Sequence, residues 1–195
     1  TISGDFYYAR HIFDKIVFGA LDCTGHGIPG AIMSMLGVSS LNEITNTRHN
    51  LDTAIVLNKL RSTIINSLHQ DETDMTSKDG MDGVFCIYDP KTRELQYSGA
   101  YNSLILIRDS KLYEHKVDRM PIGIHPKVNK PFSASEIPIQ QGDKIYLFSD
   151  GYYSQFGGEK NKKFGRKKFF NLLQSTSSMA FDKQKDYLQH TLSQW

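Results

Sequence analysis

The sequence predicts an α+β fold in which helices cover the faces of antiparallel sheet. Two observations carry that expectation. Strand-like and helix-like segments come in blocks (two strands, two helices, six strands, two helices) instead of alternating one by one. Most links between successive strands are also too short for parallel crossovers, which need roughly a dozen residues. With 195 residues, 39% hydrophobic and 23% charged, the chain is expected to make a single domain, 1–195, of ordinary globular composition.

Residues 5–12 (DFYYARHI) and 15–22 (KIVFGALD) are rich in aromatic and β-branched residues and flank a short turn at Phe13-Asp14, the pattern of a hairpin. After a glycine-rich turn, residues 29–45 predict a helix. Pro29 suits its first turn, and Ile32, Met35, Leu36 and Ser39 recur at helical spacing, read as a stripe packing on the sheet. Residues 51–69 predict a second helix, with Asp52 as N-cap and Ile55, Leu57, Leu60, Ile64 and Leu68 as its apolar stripe. The period then changes. Strands are expected at 81–89, 94–100, 103–109, 111–117, 132–139 and 144–150, forming one antiparallel meander whose last two strands are joined by QQGD (140–143). Residues 165–175 and 183–195 return to helical patterning.

The net charge of +2 is too small to argue for a nucleic-acid partner. There is no apolar run of about 18 residues and hence no expected membrane span. Cys23 and Cys86 make neither a CxxC pair nor a disulfide framework, which suits a reducing, cytoplasmic compartment. The chain opens on a structured-looking motif without a start methionine, so a fragment of a longer protein is expected.

GHGIPG (25–30) is a literal G-x-G-x-x-G between a strand and a helix, the setting of a dinucleotide fingerprint. Three features weigh against a nucleotide-binding module. A second helix follows where a parallel strand should come, the later strands are joined as hairpins, and Pro29 removes a backbone N–H from the turn that would cradle pyrophosphate.

The carboxylates are more informative. Asp22 and Asp150 each stand where an apolar strand should end, and Asp5 opens the strand paired with that of Asp22, which makes Asp5 and Asp22 expected neighbours. Clustered carboxylates resist ionisation unless a cation neutralises them. All-oxygen donors select hard ions such as Mg²⁺ or Mn²⁺. Each aspartate also has a plainer reading: Asp150-Gly151 is a common turn dipeptide, and Asp5 could be a solvated strand start.

At this point a resemblance is visible. SGDFYYA, LDCTGHGIPGAIMSMLG, DGMDGVFCIYDPKTRELQYSGAYNSLILIR, MPIGIH and GDKIYLFSDGYYSQFGGEKNKKFGRKKF resemble, in order and spacing, the SpoIIE branch of the metal-dependent protein serine/threonine phosphatases (protein phosphatase 2C-like). The resemblance runs from about residue 2 to about residue 190. It implies a four-layer α/β/β/α sandwich of two mainly antiparallel sheets with helices on the outer faces. It also implies two Mn²⁺ or Mg²⁺ ions and attack of a metal-activated water on phosphoserine or phosphothreonine. Asp22 would bridge both ions, Asp150 would hold one and Asp5 the other, directly or through water. Cys23 would contribute its backbone carbonyl. Gly25 and His26 would serve the substrate phosphate, with His26 also placed for the leaving oxygen; a histidine shaping a glycine turn is the plainer alternative. Asn102 would donate to phosphate or simply occupy a turn. The family pattern includes a strand before Gly4 and a last strand carrying one more metal-binding aspartate. The chain shows neither, so one metal site is expected to be incomplete.

The resemblance further implies a phosphorylated protein substrate of the STAS anti-sigma-antagonist type, and a helix after residue 29 that can act as a switch. Met33, Met35 and Leu36 are available there for a partner helix or a homodimer contact. A catalytically silent domain that binds its partner is the alternative. Six cations within 159–170 read either as a solvated helix start or as a dock for an acidic or phosphorylated protein.

Overall fold

The computed structural model describes residues 3–46, 51–70 and 79–195. The chain begins with the expected hairpin, β1 (Phe6–Ile12) and β2 (Lys15–Cys23), in a register that pairs Phe6 with Leu21 and Ile12 with Lys15. Two helices follow, α1 (Ile28–Thr45) and α2 (Thr53–Ser67). Asp52 caps α2 as its sequence predicts, its side chain accepting from the Ile55 N–H at 2.9 Å.

The long run of strands comprises β3 (Gly80–Asp89), β4 (Glu94–Ala100), β5 (Leu104–Arg108), β6 (Lys111–His115), β7 (Ile122–Gly123), β8 (Ser135–Pro138) and β9 (Lys144–Tyr146). A short hairpin, β10 (Phe156–Gly157) and β11 (Lys162–Lys163), precedes the helices α3 (Arg166–Ser175) and α4 (Phe181–Gln194).

These strands do not form one meander. The first sheet runs β1-β2-β3-β4-β8, with β7 also on β3, and the second runs β6-β5-β9. The chain changes sheet between β4 and β5. It returns for β7 and β8 and leaves again for β9, so the two strands flanking QQGD lie in different sheets. Arg108 holds that crossing: its Nε and Nη2 donate to the Asp143 carboxylate at 2.9 and 2.6 Å, and Nη2 also donates to the Pro138 carbonyl at 2.8 Å.

Three apolar clusters separate four layers, as the resemblance implies. Phe85 and Ile87 of β3 pack with Leu41 of α1 and with Leu57 and Leu60 of α2. The alternate residues Val84 and Cys86 pack with Leu104 and Leu106 of the opposing sheet. From β5, Ile105 and Ile107 turn to Phe169 and Leu173 of α3. Strands buried on both faces lose the apolar–polar alternation of a half-exposed sheet and read as near-continuous apolar runs.

The expected apolar stripe of α1 is corrected. Ile32, Met35 and Ser39 face outwards, with Met35 72% exposed, and Leu36 is only partly buried. The buried side is Gly30, Met33, Gly37, Ser40, Leu41 and Thr45. Small residues let the helix lie close on the sheet: a Cβ on Gly37 would come within 2.8 Å of both the Phe6 ring and the Met81 methyl. In α2, Ile55 is likewise exposed, while Thr53, Val56 and Arg61 join Leu57, Leu60 and Ile64 inside.

Candidate functional site

Register brings the aspartates together. Because Phe6 faces Leu21, Asp5 falls beside Asp22 one step beyond the paired strands. On its other side, β2 pairs with β3 so that Asp22 stands directly opposite Asp82. Gly4 and the turn at Gly25 close this end of the sheet. Gly25 has φ 89°, and a Cβ on Gly30 would come within 2.7 Å of the Gly25 carbonyl and 3.2 Å of the Gly4 Cα. The first and last glycines of G-x-G-x-x-G, Gly25 and Gly30, thus pack the start of α1 against the strand ends.

Asp150 arrives from the second sheet, and here the sequence reading is corrected. Its strand, β9, ends at Tyr146, and Asp150 lies in a turn whose carbonyl and carboxylate accept from the N–H and hydroxyl of Ser154 at 2.9 and 2.8 Å. Leu147 still packs between the sheets and Phe148 against the outer helices, so side chains alternate as in a strand after the ladder has ended. The neighbouring Ser149 hydroxyl donates to the Asp5 carboxylate at 2.6 Å, joining the two sheets at the site.

An open cavity of about 710 Å³ results. It is lined by Asp22, Cys23, Thr24, Gly25, His26, Asp82, Tyr101, Asn102, Asp150 and Tyr153, with no lysine or arginine among them. Burial first, then the charge of Asp5 and a hydrogen bond with it, push the Asp22 carboxyl up to about 7, against a backbone hydrogen bond from Asp150. Burial and the charge of Asp150 push Asp82 up to about 6. The Cys23 thiol is buried and pushed up to about 12 by burial and by Asp22 and Asp5, which keeps it protonated at neutral pH. The Tyr153 hydroxyl is raised in the same way, by burial and then Asp150.

These carboxylates repel one another's ionisation with no cationic side chain on the cavity wall. The donor set therefore fits a hard cation in its chemistry. Among the described residues, no three His, Cys, Asp or Glu side chains converge into a closed ligand group. Asp22 shares a hydrogen bond with Asp5 and accepts another from the Asp150 backbone.

Six of the seven sequence-predicted site residues line the cavity: Asp22, Cys23, Gly25, His26, Asn102 and Asp150. Asp5 joins through its hydrogen bond with Asp22. His26 is exposed at the rim. Asn102 follows Tyr101, which has φ 57°, in a tight turn where its N–H donates to the Ala100 carbonyl at 2.6 Å. Asp82 is the residue that the sequence reading missed. Its signal is a carboxylate followed by glycine, just ahead of a run, 83–87, that is buried throughout.

The SpoIIE family model, Stage II sporulation protein E, matches residues 14–195. No curated protein sequence matches the chain. Among solved structures, the SiaA-PP2C domain of Pseudomonas aeruginosa is similar with a TM-score of 0.86 at 28% identity, covering 100% of this chain and 74% of that one. The PP2C phosphatase domain of SpoIIE from Bacillus subtilis, with a fragment of its regulatory domain, has a TM-score of 0.73 at 16% identity over 98% of this chain and 52% of that one. The RsbU and RsbW domains of Rv1364c from Mycobacterium tuberculosis give 0.74 at 20% identity, over 98% and 51%. The chain thus spans about half of the last two. With its two sheets meeting at an acidic cavity and a family model running over nearly its whole length, the chain belongs to the SpoIIE family.

Proposed function

We propose that this domain hydrolyses phosphoserine or phosphothreonine on a signalling protein, using Mn²⁺ or Mg²⁺ held at the carboxylate cavity. The observation that carries the reading is the convergence of Asp22, Asp82 and Asp150 from two sheets on one open cavity without a cationic side chain. Asp22, flanked by Asp5 and Asp82, is the residue best placed to be shared between two ions, with Asp150 approaching from the other sheet. When bound, such ions polarise the phosphoryl oxygens and acidify water.

The chain's own residues supply the rest. Ser149 orients Asp5, and the Asp150 N–H orients Asp22. His26, at the exposed rim, is within the cavity wall for a proton to the leaving oxygen, and Gly25 and Asn102 border the space a phosphate would enter. The substrate is a phosphorylated STAS-type protein in a partner-switching pathway, supported by the family membership and by the likeness to a structure containing RsbU and RsbW domains. Phosphate release from a phosphoserine peptide, with and without Mn²⁺, tests the proposal. Release that requires the ion and falls at least about 100-fold in Asp22→Asn, with the circular dichroism unchanged, is the expected result. No release from the natively folded wild type would instead support a silent, partner-binding domain.

One observation favours a protein contact on α1 as well. Of the three residues expected to be available there, Met33 is buried against the sheet and Leu36 half-buried, and only Met35 is exposed. The outward side is instead Ile28, Ile32 and Met35, 71%, 58% and 72% exposed. A second copy of the chain meeting this face would be dispersed by Met35→Glu, which sedimentation velocity would register.

A further inference from the structure

The sheet and cavity leave one charged feature unused, the basic stretch from Lys160 to Lys168. It holds six cations, bordered in the same hairpin by a single acid, Glu159, while in the remainder of the chain acids outnumber cations. Arg166 is paired with Glu114 at 2.7 Å, and Lys168 lies 3.5 Å from the Trp195 ring centroid. Lys160, Lys162, Lys163 and Lys167 are exposed, and among the described residues none has a carboxylate within ion-pair distance. The first turn of α3 contains no acidic residue and no side-chain cap, so its cations sit where the helix dipole opposes them.

This stretch is tied to the rim of the cavity. The β10–β11 hairpin leaves the turn that carries Asp150 and Tyr153. Gly165 N–H donates back to the Tyr153 carbonyl at 2.9 Å, and Phe164 N–H to Gln155 at 2.8 Å. Arg166 also donates to Ser103, next to Asn102 on the cavity wall. The cavity itself is negative and would repel an acidic, phosphate-bearing protein. A positive hairpin beside it attracts the same protein.

We propose that the β10–β11 hairpin and the start of α3 dock an acidic face of the phosphoprotein, next to its phosphorylated residue. The proposal rests on the phosphatase reading for the identity of the partner as a substrate.

The test is fluorescence anisotropy in EDTA with a labelled phosphoserine peptide carrying a run of glutamates, compared with a twin in which glutamine replaces glutamate. The wild type binds the glutamate peptide about tenfold more tightly at low salt, and added salt erodes the preference. Lys160→Gln/Lys162→Gln/Lys163→Gln abolishes the preference, and the corresponding triple arginine variant keeps it. Equal affinity of the wild type for the two peptides overturns the proposal, as does a preference that survives in the glutamine variant. Duplex DNA displacing the peptide as well as unlabelled peptide does would also overturn it, marking a general polyanion patch. Mn²⁺-dependent turnover of p-nitrophenyl phosphate is measured separately. Its absence sinks the phosphatase reading while leaving the binding result legible.

Discussion

Asp82 shows how much a single register can decide. On its own it is a charged residue in a buried strand. Opposite Asp22, and facing Asp150 across the cavity, it becomes part of an acidic wall. Asp82→Asn is expected to weaken Mn²⁺ binding by about 10-fold in calorimetry, in line with the loss of a supporting carboxylate at other metal sites; unchanged affinity would remove Asp82 from the ion's surroundings. The raised carboxyls also predict how the ion-free protein responds to pH. Asp22 holds its proton up to about 7 when folded, against 3.8 as the ordinary value. The native state therefore binds more protons than the unfolded state between those limits, and stability falls as pH rises through that window. In EDTA, the melting temperature should drop from pH 5 to pH 8, and Asp22→Asn should flatten the slope. A melting temperature that rises over that range would contradict the burial of this cluster.

At the level of elements, α1 and α2 illustrate two kinds of helix signal. Asp52 was legible because capping is local: a side chain reaches an N–H within its own first turn. Asp52→Ala should cost about 1 kcal/mol in urea unfolding. The buried face of α1 was not legible. Ile32 and Met35 are the more apolar residues, but Gly30, Gly37 and Ser40 give the closer approach to the sheet, and close packing decided which side turned in. The strand carrying Phe148 is a related case. Its side chains alternate between two clusters, Ile145 and Leu147 between the sheets and Tyr146 and Phe148 against the outer helices, but its ladder with β5 covers only residues 144–146.

At the level of the molecule, two sheets bring carboxylates from distant parts of the chain to one cavity, and this arrangement leaves their mutual repulsion for a bound cation to relieve. A ligand that binds only the folded state stabilises it by mass action, by about 2.7 kcal/mol at 100 times its Kd. Mn²⁺ should accordingly raise the melting temperature of the wild type at pH 8, EDTA should reverse the rise, and Asp22→Asn should respond weakly. An equal rise in that variant would mean that the ion binds elsewhere. Arg108 of β5 is a second device at this scale: it holds Asp143, whose side chain is 1% exposed in the link just before β9, and donates to the Pro138 carbonyl of β8 in the other sheet.

By itself the sequence determined the order of the longer elements, though not the two-residue strands β7, β10 and β11, together with the first hairpin, the cap of α2 and the pairing of Asp5 with Asp22, because each follows from contacts between neighbours in the chain. It also marked the strand-end aspartates as unusual. Only the tertiary structure decided that the strands divide between two sheets, that α1 turns its small residues inward and that Asp82 completes the acidic wall. Those outcomes depend on which surfaces meet at long range, and residues that look alike in their local pattern are sorted only when two layers compete to bury them.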